Sequence, residues 1–248
     1  MTLQDFFKQY NKIALAFSGG ADSSYLLYEG IHAGCEVHAY YVKSAFQPQF
    51  ELEDAVKLAE QLNASLTILE LDVLSDSQIT QNPVNRCYYC KRKIFGKIME
   101  AALADGCEML IDGTNASDDA SDRPGMKALK ELQVRSPLRE CGITKEELRM
   151  RSKEAGLFTW NKPAYACLAT RIPSGTIITK EKLHATELSE KALTDLGFTD
   201  FRIRLQGEAA KIQVPESQLE KLLLYRKEIL EKLKPHYSAV TVDLEVRL

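Results

Sequence analysis

The apolar run Ile13-Ala14-Leu15-Ala16-Phe17 passes without a spacer into Ser18-Gly19-Gly20-Ala21-Asp22-Ser23, and then into a helical pattern led by Tyr25, Leu26, Leu27 and Tyr28. A short buried strand that turns on two glycines into a helix commits this part of the chain to a strand-turn-helix unit. The first-turn N–H groups of such a helix lack intrahelical partners and carry partial positive charge, while glycine lets the backbone approach an anion closely. The junction therefore reads as a phosphate cradle, with Ser18 and Ser23 completing it as oxygen ligands. No lysine follows the glycines where a Walker A loop needs one, and the three-glycine dinucleotide fingerprint is absent. Serine, glycine and aspartate are also ordinary turn and N-cap residues, which leaves a plain structural junction as the competing reading.

The same alternation continues. Strands are expected over 36–42, 66–71 and 108–111, and Leu52, Ala55, Val56, Leu58, Ala59 and Leu62 recur at helical spacing between the first two. Strand-helix-strand repetition at this pace implies parallel pairing, right-handed crossovers and helices on both faces. Ligands in such sheets bind at the carboxyl ends of the strands. That edge receives the loop over 43–48, where an adenine fits, and Asp112-Gly113-Thr114-Asn115, followed by an acidic loop with Asp118, Asp119, Asp122 and Arg123. Val134-Arg135 and Ser136-Pro137-Leu138 are expected to close the sheet, with a helix over 145–155.

Around 160–174 two prolines and the lack of a lasting period mark a loop between domains. The expected division is an α/β domain over 1–160 and a small α+β domain over 161–248. The latter comprises a helix over 180–196 stopped by Gly197, strands over 201–205 and 210–214, a helix over 216–233 and a strand over 239–246. At 248 residues and 45% hydrophobic content, the chain has ample material for such cores. A net charge of only −3 argues against a general nucleic-acid-binding surface. No apolar run reaches membrane-span length and Met1-Thr2-Leu3-Gln4-Asp5 has no secretory character, so a cytoplasmic protein is expected.

Six cysteines are too sparse for a disulfide scaffold. Cys87 and Cys90 form C-x-x-C at the head of a helix, where the dipole and the basic residues behind lower thiol pKa. One such pair is half of a zinc site or part of an iron–sulfur site, and burial for packing is the alternative. Cys167 is a third thiol, in the interdomain loop. Cys35, Cys107 and Cys141 read as packing residues, and the four histidines show no ligand spacing. Arg202 and Arg204 alternate along a strand and share a face; with Arg171 they suit a phosphate or carboxylate, or else a solvated surface. Glu187 and Glu190 share a helix face that is either a cation site or simply wet.

The loop S-G-G-x-D-S resembles the PP-loop of ATP pyrophosphatases, which are Rossmann-like (adenine nucleotide alpha hydrolase-like) proteins. Taken in order with Asp112-Gly113-Thr114-Asn115, Ser136-Pro137-Leu138, the segment from Lys162-Pro163 through Cys167-Leu168-Ala169-Thr170-Arg171-Ile172-Pro173, and Phe201-Arg202-Ile203-Arg204, the chain resembles the LarE-type sulfur transferases of nickel-pincer cofactor biosynthesis. The resemblance implies ATP and Mg2+ at Ser18, Gly19, Gly20, Asp22, Ser23, Lys43, Gly113 and Arg123, with Asp22 as a metal ligand. It implies a small-molecule mononucleotide acceptor whose phosphate is held by Arg171, Arg202 and Arg204. Nucleic acid and membrane are not expected as partners, and a homo-oligomer is. The resemblance further implies that sulfur comes either from a 4Fe-4S cluster on Cys87, Cys90 and Cys167 or from Cys167 itself; the presence of all three thiols favours the cluster. Competing readings are a tRNA thiolase, an amide-forming PP-loop synthetase, and a non-catalytic ATP-binding or zinc module.

Overall fold

The computed structural model describes residues 1–118 and 124–245. It divides into two compact units, Met1–Val73 with Asn85–Tyr165, and Leu74–Val84 with the chain from Ala166 on.

The first unit opens with α1 (Leu3–Phe7), whose capping box pairs Thr2 with Asp5. There follow β1 (Lys12–Ala16), α2 (Ala21–His32), β2 (Glu36–Lys43), α3 (Gln49–Gln61) and β3 (Ser65–Glu70). Beyond α4 (Ser77–Thr80), which belongs to the second unit, come α5 (Arg86–Ala104), β4 (Met109–Ile111), α6 (Pro124–Glu131), α7 (Pro137–Glu140) and α8 (Lys145–Glu154). The four strands form a parallel sheet in the order β3-β2-β1-β4. Side chains alternate across it. Ile13, Leu15, Val37, Ala39 and Tyr41 enter one core with Leu26 and Leu27 of α2, Leu58 of α3 and Leu148 of α8, while Ala14, Tyr40 and Val42 enter the other with Phe95 and Ile98 of α5 and Leu129 of α6. Each such aliphatic or aromatic side chain contributes about 1.5–3 kcal/mol when fully buried, so both helical layers are held to the sheet by its period-two pattern.

The sheet is not closed by a strand over 134–138. Arg135 makes a single parallel bridge to Ile111, after which Pro137 opens the short helix α7. Proline has no N–H to extend a ladder, and its fixed φ suits the first helical position.

The first unit ends after a 3-10 turn at Phe158–Asn161, and the second resumes with a 3-10 turn at Leu168–Arg171. Then come α9 (Lys180–Asp195), β5 (Arg202–Gln206), β6 (Ala209–Gln213), α10 (Leu219–Leu224), α11 (Arg226–Leu233) and β7 (Val240–Val242). β5 and β6 are antiparallel, β6 and β7 parallel. The single helix expected over 216–233 is instead a 3-10 turn and two helices, broken at Tyr225 (φ −89°, ψ 16°), whose ring meets Phe198 edge-on at 6.3 Å. The last strand is shorter than expected, and residue 246 lies outside the described residues. Residues 74–84 join this unit because Asn82, buried and in the left-handed region, donates its amide to the carbonyls of Ile172 and Pro173 and accepts from Gly175 N–H.

Candidate active site

The glycine loop joins β1 to α2 at the carboxyl edge of the sheet. Gly19 has φ +68°, and a Cβ added there would lie 3.0 Å from the backbone nitrogen of Ala55, so the turn and the close passage of α3 both call for glycine. Gly20 is the N-cap of α2 and brings no side chain to its first-turn N–H groups. The two serines brace the loop: Ser18 N–H donates to Ser23 Oγ (3.3 Å), Gly20 N–H donates to Ser18 Oγ (3.3 Å), and the two hydroxyls lie 3.1 Å apart. Gly113, past the end of β4, lies against this helix start, since a Cβ there would meet Ser23 N at 3.0 Å and Asp22 Cβ at 3.1 Å. Its neighbour Asp112 is buried and fixes the turn by accepting from Thr114 Oγ1 and Ser136 Oγ, each at 2.6 Å.

Asp22 does not cap its helix. One carboxylate oxygen accepts from Asn115 Nδ2 at 2.9 Å, and the other is paired with the Lys145 ammonium at the start of α8. On the other side of the loop, Lys162 Nζ is 2.6 Å from Asp54 and 3.5 Å from the Gly19 carbonyl oxygen, and stands over the Phe50 ring. Sequence reasoning missed both lysines as loop neighbours. The one available signal was the missing lysine within the loop itself, which leaves its positive charge to be supplied from elsewhere. Lys43, at the end of β2, donates to the Gln47 carbonyl at 2.7 Å and so closes the turn over 43–47 above buried Phe46. Arg123, with Asp119 and Asp122, lies outside the described residues.

Cys87 and Cys90 sit three residues apart at the start of α5, Cys87 exposed and Cys90 half-buried, with Arg86 Nη2 3.9 Å from the Cys87 sulfur. Burial pushes the Cys35 thiol up to about 11 and raises those of Cys107 and Cys141, which favours the neutral thiol at all three. Among the described residues no group of three or more His, Cys, Asp or Glu side chains is gathered as a metal site.

In the second unit, Cys167 precedes the 3-10 turn Leu168–Arg171 and is half-buried; its carbonyl accepts from the Thr170 N–H (3.0 Å) and hydroxyl (2.8 Å). Arg171 is not laid out on a surface. It is 1% exposed and grips Glu190 of α9 through Nε (2.8 Å) and Nη2 (3.1 Å), while Nη1 donates to the Ala166 carbonyl (2.9 Å) and to Thr170 Oγ1 (2.8 Å). Glu190, expected either at a cation site or on a wet helix face, is buried, and the same Oε1 also accepts from Ile203 N–H of β5 at 3.1 Å. The arginine thus holds the Cys167 turn to α9 and β5. Arg202 and Arg204 do share a face of β5, but differently: Arg202 is buried and donates to the Phe201 carbonyl, whereas exposed Arg204 reaches the Thr170 carbonyl at 3.0 Å and Gln213 Oε1 at 2.6 Å. An exposed guanidinium therefore stands at the turn that carries the thiol.

No family model matches the chain. It is 32% identical over 246 residues to the pyridinium-3,5-bisthiocarboxylic acid mononucleotide synthase of Lactiplantibacillus plantarum, an alignment covering 98% of this chain and 89% of that protein. The chain belongs to the family of that synthase. The chain is also 34% identical to an uncharacterized Synechocystis protein over 98% of this chain and 92% of the other. More distantly, it is 27% identical to the tRNA-specific 2-thiouridylase MnmA of Thermotoga sp. over 75% of this chain and 64% of that enzyme. The parallel sheet with its glycine loop is the α/β fold expected for the synthase family, and the three-stranded sheet is its smaller companion. No helix among the described residues is long and apolar enough to cross a membrane.

Proposed function

We propose that this protein is an ATP-dependent sulfur transferase that converts a carboxylate of a pyridinium dicarboxylate mononucleotide into a thiocarboxylate. The observation that supports the reading is that a chain of the synthase family carries a lysine-free glycine loop at a helix start and, on a turn that exposed Arg204 also reaches, a half-buried thiol.

The first half-reaction makes a poor electrophile into a good one. A carboxylate oxygen attacks the α-phosphorus of ATP, the bond to the bridging oxygen breaks, and pyrophosphate leaves an acyl-adenylate. The loop N–H groups braced by Ser18 and Ser23 hold the phosphates where charge develops. Mg2+ beside them would offset charge on the departing pyrophosphate, with Asp22 as its ligand or orienter. Lys43 and Gly113 line the same edge, and Arg123 belongs to the same proposal. In the second unit Arg204, with Arg202 behind it, would take the acceptor's phosphate through the guanidinium fork. Arg171 is committed to Glu190, so its part is to position the Cys167 turn.

In the second half-reaction sulfur displaces AMP. One source would be a 4Fe-4S cluster: the reading is supported by the donor chemistry, two thiols three residues apart on α5 and a third at Cys167, and when bound the cluster would supply an exchangeable sulfide at its remaining iron. Without it, the Cys167 thiolate attacks the acyl carbon, AMP leaves, and loss of the α-proton with cleavage of the Cβ–S bond frees the thiocarboxylate and leaves dehydroalanine. The proposal places the enzyme in the cytosol, acting as an assembly of identical copies.

The test is to incubate wild type and Cys167→Ala with ATP, Mg2+ and the dicarboxylate mononucleotide. Both variants release pyrophosphate in the presence of the acceptor, and only wild type yields thiocarboxylate. Thiocarboxylate from Cys167→Ala at the wild-type level overturns the assignment of the thiol. Iron, acid-labile sulfide and the intact mass of the spent protein separate the two sulfur sources.

A further inference from the structure

The glycine loop contains no lysine, yet a triphosphate brings several negative charges to it. We infer that Lys145 and Lys162 are the cations of the phosphate site, and that each exchanges a carboxylate partner for phosphate when ATP binds. The inference rests on the reading of the loop as an ATP site. Both lysines come from far along the chain, 123 residues from Asp22 and 143 from Gly19, and the fold sets them on the loop. Lys145 pairs with Asp22 in the first turn of α2, whose other carboxylate oxygen is already held by Asn115. Lys162 is held by Asp54 of α3 while its ammonium lies 3.5 Å from the loop's own Gly19 carbonyl.

Both lysine side chains are partly exposed, 31% and 17% accessible, and both pair with a single carboxylate. Ion pairs so placed are weak and screened by water. A triphosphate offers more charge and more acceptor oxygens than one carboxylate, so the exchange runs toward phosphate. Lysine suits the task because its compact charge rides on a flexible stem and can follow a small displacement. The carboxylates serve meanwhile to park the ammonium groups beside the loop, which avoids leaving two like charges unscreened next to the positive end of α2.

The experiment measures equilibrium binding of Mg-ATP and of AMP to wild type, Lys145→Ala, Lys162→Ala and Asp54→Asn, with melting temperature recorded for each without nucleotide. A charged hydrogen bond to phosphate is worth enough that each alanine variant should weaken ATP by about tenfold to a hundredfold, with a much smaller effect on AMP, which lacks the pyrophosphate. Asp54→Asn removes the competitor for Lys162 and should bind ATP as tightly as wild type or more so. Folded alanine variants that bind ATP and AMP in the wild-type ratio overturn the assignment, and so does a tenfold loss of ATP affinity in Asp54→Asn, which would make the Lys162 pair a scaffold. Should an alanine variant fail to fold, Lys→Met keeps the packed stem and the same ATP-to-AMP ratio is read from it. Wild type that binds AMP but not ATP would defeat the lysine assignment, whereas wild type that binds neither nucleotide would defeat the ATP reading on which it rests.

Discussion

Glu190→Ala tests whether the Cys167 turn is held by a buried ion pair. In the native protein Glu190 takes two N–H groups of Arg171, itself 1% exposed, and the backbone N–H of Ile203. Removing one partner of a buried pair costs about 3–5 kcal/mol because the other charge stays buried, and orphaning the backbone donor adds about 1 kcal/mol. With a urea m-value of about 2 kcal/mol/M, the loss lowers the unfolding midpoint by about 2–3 M. Far-UV circular dichroism during a urea titration reads this directly. The double variant Arg171→Met/Glu190→Leu replaces the pair with apolar groups of similar size, which is often neutral for stability. It should therefore recover most of the lost midpoint. Its sulfur-transfer step should stay impaired, because the Ala166 carbonyl and Thr170 hydroxyl lose their donor beside Cys167. A midpoint shift below about 0.5 M in Glu190→Ala, equivalent to about 1 kcal/mol, would refute the buried-pair argument, as would a double variant no more stable than the single one.

Three further outcomes follow from particular contacts. Gly113→Ala forces a methyl to within 3.0 Å of the Ser23 backbone nitrogen, an overpacking cost of about 1–3 kcal/mol placed on the phosphate cradle; ATP affinity measured by titration should fall at least several-fold, and unchanged affinity would contradict the close approach. Burial raises the Cys35 thiol to about 11, so at pH 8 iodoacetamide with peptide mapping should label exposed Cys87 in metal-free protein and spare Cys35, whose labelling should climb only as pH approaches 11. The hydrogen bonds from Arg135 hold the Glu140 carboxyl below its ordinary value, so its contribution is full above the ordinary carboxylate range and is lost as pH falls through the lowered value; Glu140→Gln should flatten the acid limb of a melting-temperature profile, and an unaltered limb counts against it.

Local signals in the sequence account well for the first unit. Apolar runs with period two, the glycine turn and helical repeats place β1 to β4 and the loop between β1 and α2, because each depends on neighbouring residues. Pro137 ends strand pairing at one bridge through its own missing N–H. Two other departures share a cause: Tyr225 breaks a helix where its ring meets Phe198, and residues 74–84 join the second unit through Asn82, both involving tertiary partners that no short window contains. The same holds at the site. Ser18 to Ser23 and Gly113 were legible as types at fixed spacing, whereas Lys145, Lys162 and the Arg171–Glu190 pair owe their roles to positions brought together across the chain. Glu190 looked like any helix-surface acid until β5 and the Cys167 turn covered it.

The most direct test of the central claim is the dependence of pyrophosphate release on the acceptor. Anaerobically prepared protein with Mg-ATP is offered the pyridinium dicarboxylate mononucleotide, unmodified tRNA, or ammonia with a carboxylate, and pyrophosphate and products are followed together by coupled assay and mass spectrometry. Pyrophosphate that appears with the mononucleotide alone, matched by product in which sulfur has replaced one carboxylate oxygen, is the predicted result. Pyrophosphate release that follows tRNA or ammonia instead, or that proceeds unchanged without any acceptor, would contradict the account.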